Sequence, residues 1–135
     1  VEEGLTISSG HVILRYKEEI MRVVVTGGRT YQNRVHVFHS LDMLDELNPI
    51  TFLAAGGATG ADTFAREWAK AHGVAWTEYP ADWIGLGKMA GPVRNRAMLE
   101  QFLPDLVVAF PGGRGTGDCV RKAHMRNISV LKVKG

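Results

Sequence analysis

Met21-Arg22-Val23-Val24-Val25-Thr26-Gly27-Gly28-Arg29 is the stretch whose reading decides the fold. Arg22 to Thr26 is a short run rich in β-branched side chains that stops at two glycines. A continuous apolar run of this kind, without polar alternation, reads as a strand buried on both faces of a parallel sheet. Such a strand needs crossover helices, and the next residues supply one.

Val37, Phe38, Leu41, Leu44 and Leu47 recur at helical spacing, which predicts a helix over about 33–47 that ends at Asn48-Pro49. Thr51 to Ala55 is a second strand, followed by Gly56-Gly57. The spacing predicts a helix over 60–72, with Ala61, Phe64, Ala65, Trp68, Ala69 and His72 on one face and Gly73 as its stop. Ala75 to Tyr79 is a third strand, and Pro80 to Ala90 reads as a loop. Gly91-Pro92 opens a helix with Pro92 at its first position. Asp105 to Phe110 is a fourth strand ending in Pro111-Gly112-Gly113, Thr116 to Arg126 the last helix, and Ser129 to Val133 the last strand. Strand and helix alternate throughout. The expected class is α/β, a Rossmann-like doubly wound parallel sheet of about five strands with helices on both faces. Residues 1–20 differ: Leu5-Thr6-Ile7 and His11 to Tyr16 flank Ser8-Ser9-Gly10, and read as an N-terminal appendage able to form a β-hairpin, ahead of one domain over 21–135.

The 135 residues suit a single core, and 45% hydrophobic with 22% charged residues is ordinary for a globular chain. A net charge of +2 suits an anionic ligand without announcing a nucleic-acid binder. One cysteine, Cys119, excludes an intrachain disulfide. No apolar run reaches membrane-span length and no signal-peptide pattern opens the chain, so the expected location is the cytoplasm. The five histidines have no metal-ligand spacing with the acids or Cys119; no metal and no cofactor are expected.

Ligands of open parallel sheets bind outside the carboxyl ends of the strands. Three strands here end in double glycines, Gly27-Gly28, Gly56-Gly57 and Gly112-Gly113, and Arg29 and Arg114 follow the first and third. Glycine lets backbone approach a ligand, helix N-termini attract anions, and arginine pairs with phosphate in bidentate fashion. There is neither a G-x-G-x-x-G after the first strand nor a G-K-[ST], which disfavours ordinary NAD or ATP chemistry. Ala58-Thr59-Gly60-Ala61-Asp62 leaves two readings open: Thr59 as N-cap with Asp62 near the positive helix end, or Asp62 on a ribose hydroxyl. Arg94 and Asn95 fall on the first turns of a helix, where an arginine opposes the dipole and suggests an external anion. Trp83, beside Asp82, is a candidate to stack on a base, and Thr116 is a candidate N-cap within reach of phosphate. Asp118 reads as a first-turn acid or as an acid/base group, and Cys119 as a core residue.

Taken in order, Thr26 to Arg29, Gly56 to Asp62, Ala81-Asp82-Trp83, Gly91 to Asn95 and Pro111-Gly112-Gly113-Arg114-Gly115-Thr116 resemble the YspA/cpYpsA-related family of the SLOG superfamily, which unites DprA/Smf and Lonely Guy proteins. The resemblance covers about residues 21–134 and adds Gly115 to the candidate ligand contacts. It implies a Rossmann-like domain that binds nucleotides or nucleotide-derived ligands, often as a sensor, and a homodimer. Lonely Guy enzymes cleave the N-glycosidic bond of nucleoside monophosphates. Their motif places a glutamate three residues after the threonine, where this chain has Cys119, with Asp118 one residue earlier and Arg94 as the nearest counterpart of their arginine. That exchange removes the group suited to stabilise a cationic sugar.

Two readings of function follow. The first is a sensor or sequestering module for a nucleoside phosphate or ADP-ribose-like ligand. The second is a phosphoribohydrolase in which Arg94 and Asp118 act on a nucleoside monophosphate. A weaker third, DNA binding through Arg121, Lys122, Arg126, Lys132 and Lys134, lacks interleaved aromatic residues, so nucleic acid is not the expected partner.

Overall fold

The structure is a computed structural model that describes residues 20–135. The expected appendage over 1–20 lies outside the described residues but for Ile20. Five strands, β1 (Arg22–Thr26), β2 (Phe52–Ala55), β3 (Ala75–Glu78), β4 (Leu106–Ala109) and β5 (Ser129–Lys132), form one sheet in the order β3-β2-β1-β4-β5. Every pairing is parallel, with Val24 opposite Ala54 on one side and Val107 on the other. This is the Rossmann-like α/β arrangement the alternation predicts. The order of strands reverses at β1, and a parallel sheet leaves a crevice at such a point.

Four longer helices cover the sheet: α1 (Arg34–Leu47), α2 (Ala61–Ala71), then, after the short α3 (Trp83–Leu86), α4 (Ala90–Phe102) and α5 (Arg114–Met125). Successive strand residues point to opposite faces. Val23, Val25, Leu53 and Ala55 therefore pack with Val37, Leu41, Ala65 and Trp68 of α1 and α2. Val24, Ala54 and Val107 pack with Met98, Leu99, Cys119 and Ala123 of α4 and α5. The three central valines of β1 are fully buried, which is why that run carries no polar alternation.

Several local expectations are corrected. Leu47, assigned to the apolar face of α1, is 83% exposed because the helix ends there and its face has run past the sheet. The 80–90 segment holds α3 and a 3-10 turn over Gly87–Met89; Asp82 caps α3 by accepting from the Gly85 N–H at 2.9 Å. A helix of four residues with two glycines in and beside it has too little periodicity to be read in advance. α4 begins at Ala90, so Pro92 is its third residue, still within the turn whose N–H groups lack intrahelical partners.

At the amino ends of the strands, the Arg22 guanidinium lies 5.0 Å from the Phe52 ring and 4.3 Å from the Phe102 ring, and its Nε donates to Phe102 O at 2.8 Å. The opposite edge is left free for the loops of the site. Trp68 is the largest fully buried side chain, and its Nε1 donates to Asp42 Oδ1 at 2.8 Å. Trp68→Ala is expected to lower stability by about 3–5 kcal/mol in urea unfolding, from lost contacts and the cavity left.

Candidate functional site

A cleft of about 970 Å³ opens at the carboxyl ends of β1, β2 and β4. The three double-glycine turns meet there, and their glycines serve two different purposes. Some are needed for the turns to pack. A Cβ on Gly27 would lie 2.6 Å from the Ala61 Cβ, one on Gly112 would lie 2.7 Å from Gly28 N, and one on Gly56 would strike the Arg94 guanidinium. Gly60 precedes α2 with φ 75, a conformation that L side chains rarely adopt.

Gly113 and Gly115 are different. A Cβ on either would meet nothing within 4 Å, and neither has a positive φ. Both line the cleft at the start of α5, whose N-cap is Gly113 with no side-chain cap. Among the described residues no side chain accepts from the first-turn N–H groups, and the helix dipole adds positive potential. Arg29 and Arg114, both exposed, stand on the same cleft wall. Thr116 also lines the cleft but is the third residue of α5, which corrects the expectation that it caps the helix. The cap of α2 is likewise Gly60 and not Thr59, whose Oγ1 donates to Arg29 O at 2.8 Å.

Arg94 reaches the cleft but is held from inside. Its Nη1 donates to Gly56 O at 2.6 Å and to Tyr79 O at 3.3 Å, and its Nε donates to Asn95 Oδ1 at 2.9 Å. These acceptors, and not only an external anion, account for an arginine early in α4. Asn95 is 3% exposed and bridges two helices, donating from Nδ2 to Gly115 O at 3.1 Å and to Asp118 Oδ2 at 3.0 Å.

The carboxylates separate sharply. Asp118 accepts from Lys122 Nζ at 2.8 Å and from Arg121 Nη2 at 2.7 Å. Burial pushes its carboxyl up, but Lys122, Asn95 and Arg121 outweigh that and hold it below the usual range. It is an ionised structural anchor and does not line the cleft. Asp62 does line it, is 5% exposed, and accepts from the Ala58 N–H at 3.1 Å. Burial pushes the Asp62 pKa up to about 6, against the pull of the Ala58 N–H and the Arg94 guanidinium. Cys119 is fully buried, and burial pushes its thiol up to about 11, so it is a core residue and a poor nucleophile at neutral pH.

Of the residues singled out from sequence, the cleft wall gathers Gly27, Gly28, Arg29, Gly56, Ala58, Asp62, Trp83, Arg94, Asn95 and the run Gly112 to Thr116. Gly57, Thr59, Gly60, Asp82 and Asp118 stand off the wall and support it. Sequence reasoning missed Thr30, Tyr31, Gln32 and Asn33, the chain between the first turn and α1, and Met98 of α4. Nothing in their spacing marks them; Thr30 to Asn33 face the cleft because α1 starts late, at Arg34. Among the described residues no group of three or more metal-ligating side chains converges, and no helix is long and apolar enough to cross a membrane.

The fold and the cleft define a Rossmann-like α/β domain with its cleft at the carboxyl edge of the sheet. Residues 21–84 match the family described as YspA, cpYpsA-related SLOG family. No curated protein matches the chain. Among solved structures it is similar to DNA processing protein A (DprA) from Streptococcus pneumoniae, at 21% identity and a TM-score of 0.70 over 86% of this chain and 51% of that one. It is also similar to UDP-GlcNAc 2-epimerase from Neisseria meningitidis bound to UDP-GlcNAc, at 15% identity and a TM-score of 0.56 over 84% of this chain and 32% of that one. The chain thus spans about half the length of the DprA chain and a third of the epimerase, and these likenesses show the shared fold.

Two predictions follow from the local geometry. Gly56→Ala and Gly112→Ala are expected to cost about 1–3 kcal/mol in urea unfolding, from overpacking, while Gly113→Ala leaves stability close to that of the parent. For Asp62, the unfolded chain releases the proton near 3.9 while the folded chain holds it to about 6. Between those values the folded state carries the extra proton, so stability falls as pH rises, by up to about 3 kcal/mol. Asp62→Asn is expected to remove this slope and to raise stability at pH 8, read from melts between pH 4 and pH 8.

Proposed function

We propose that the cleft binds a nucleotide or nucleotide-derived ligand and that the domain acts as a sensor or sequestering module. The observation that carries this reading is the bare first turn of α5, where Gly113 and Gly115 are glycine without an internal steric reason and open into the cleft beside Arg29 and Arg114. That combination suits a phosphate. Asp62, the buried carboxylate on the same wall, suits a sugar hydroxyl, and Trp83, 56% exposed at the rim, offers a face for a base.

The hydrolase reading shifts from Asp118 to Asp62. Asp118 is engaged by Lys122, Arg121 and Asn95 away from the cleft, whereas Asp62 is the carboxylate that the wall presents, within the influence of Arg94. A carboxylate there would stand where charge develops on a sugar during glycosidic cleavage. The DNA-binding reading loses support because Arg121 and Lys122 pair with Asp118, and Arg126 with Glu100.

Purified protein incubated with nucleoside monophosphates and ADP-ribose, followed by chromatography and mass spectrometry, separates the readings. Retained, unaltered ligand is the expected result, with Arg114→Ala weakening binding by about 1.5–3 kcal/mol, the worth of a charged hydrogen bond. Free base released by the parent and abolished in Asp62→Asn would instead establish a hydrolase. For assembly, we propose a homodimer over the apolar strap, where Ile84 is fully exposed and Met89 and Val93 are about half exposed. Light scattering is expected to show a dimer that Ile84→Asp converts to monomer.

A further inference from the structure

Beyond the Pro111–Gly113 turn lies a second groove of about 470 Å³. It shares Pro111, Gly112, Gly113 and Thr116 with the main cleft, so the two hollows are the two flanks of one ridge. It is lined by Arg121 and His124 of α5 and Lys132 at the end of β5, and among the described residues no carboxylate lines it. Asp118, the nearest acid on that helix, does not line the groove and is held by Lys122, Asn95 and Arg121.

A second observation comes from Gly117, which lines this groove and not the cleft. It is the fourth residue of α5, and its N–H already donates to Gly113 O at 3.0 Å. A Cβ there would meet nothing within 4 Å, and its φ is not positive. Glycine inside a helix lowers stability relative to alanine, and neither packing nor backbone geometry requires it here. A bare position there admits close approach from the groove.

We propose that this groove is a second anion subsite, so that the ligand spans the ridge and is a pyrophosphate-linked nucleotide and not a simple monophosphate. The proximal phosphate and nucleoside occupy the main cleft, which is where this inference rests on the proposed function. The distal phosphate crosses the first turn of α5 and lies against Gly117, beside Lys132 and His124 and next to the Arg121 guanidinium that Asp118 also engages.

The test is a nitrogen-15 NMR titration of the full chain with three probes: inorganic pyrophosphate, AMP and ADP-ribose. Pyrophosphate alone is expected to give saturable shifts at Gly117, Arg121 and Lys132, whatever the cleft does. Shifts confined to Gly28, Arg29 and Gly113 to Thr116, or groove shifts reproduced by chloride at equal ionic strength, overturn the subsite. Failure of AMP to perturb the cleft would count against the proposed function and leave the pyrophosphate result to decide the groove. Lys132→Gln and Gly117→Ala are each expected to weaken ADP-ribose about five- to tenfold and to leave AMP unchanged. Gly117→Ala is also expected to raise Tm. Equal losses for AMP and ADP-ribose, or a lowered Tm in Gly117→Ala, would overturn the assignment, because either result makes the position structural.

Discussion

Gly28 joins the three loops of the cleft through its own peptide groups. Its N–H donates to Pro111 O at 2.8 Å, tying the turn after β1 to the turn after β4. Its carbonyl accepts from Tyr31 N at 3.1 Å and from Ala61 N at 3.3 Å, tying the same turn to the start of α2. The approach that these bonds require excludes a Cβ from Gly60, which would strike Gly28 O, and from Gly112, which would crowd Gly28 N. A side chain at either position would force the loops apart and open the cleft. The wall therefore exists because glycines touch one another, before any ligand is considered.

The polar groups around this junction divide into those that hold the frame and those that remain available. Arg94, Asn95, Asp118 and Lys122 form a continuous chain of charged and amide contacts from Gly56 O across α4 to α5. Partly buried charges are stable when paired and hydrogen-bonded, and these are. Asp62 is the exception. It is buried, its pKa is pushed up to about 6, and it accepts from the Ala58 N–H at 3.1 Å. A group kept at that cost on a cleft wall is a strong candidate for a role in recognition.

The first turn of α5 shows the same tension in the backbone. Gly115 and Gly117 give up helix stability at positions that could accommodate alanine, and Gly113 leaves the N-cap without a side chain. Stability given up locally, without a steric cause, is what a site for close approach requires. The same helix is anchored by Cys119 and Ala123 in the core, so the bare turn rests on a rigid support.

The fold was legible in the chain because its determinants are local and periodic. Val23 to Val25 announce a doubly covered strand, the spacing in Ala61 to Ala69 announces a helix, and glycine pairs punctuate the ends of three strands. Convergence of those three turns followed from the parallel order alone, and most residues of the wall could be named from it. What the sequence could not determine is which side chains face the cleft and which face each other. Asp62 and Asp118 both read as first-turn acids, yet Asp62 is in the first turn of α2 and lies on the cleft wall, whereas Asp118 is the fifth residue of α5 and is bound by Lys122 and Arg121. Gly56 and Gly113 both follow strands, yet one makes room for Arg94 and the other faces open space. These distinctions arise from contacts between residues far apart in the chain, where the rotation of a helix about its axis sets which group meets which. Spacing along the sequence fixes period and direction, but only the packed structure sets that rotation.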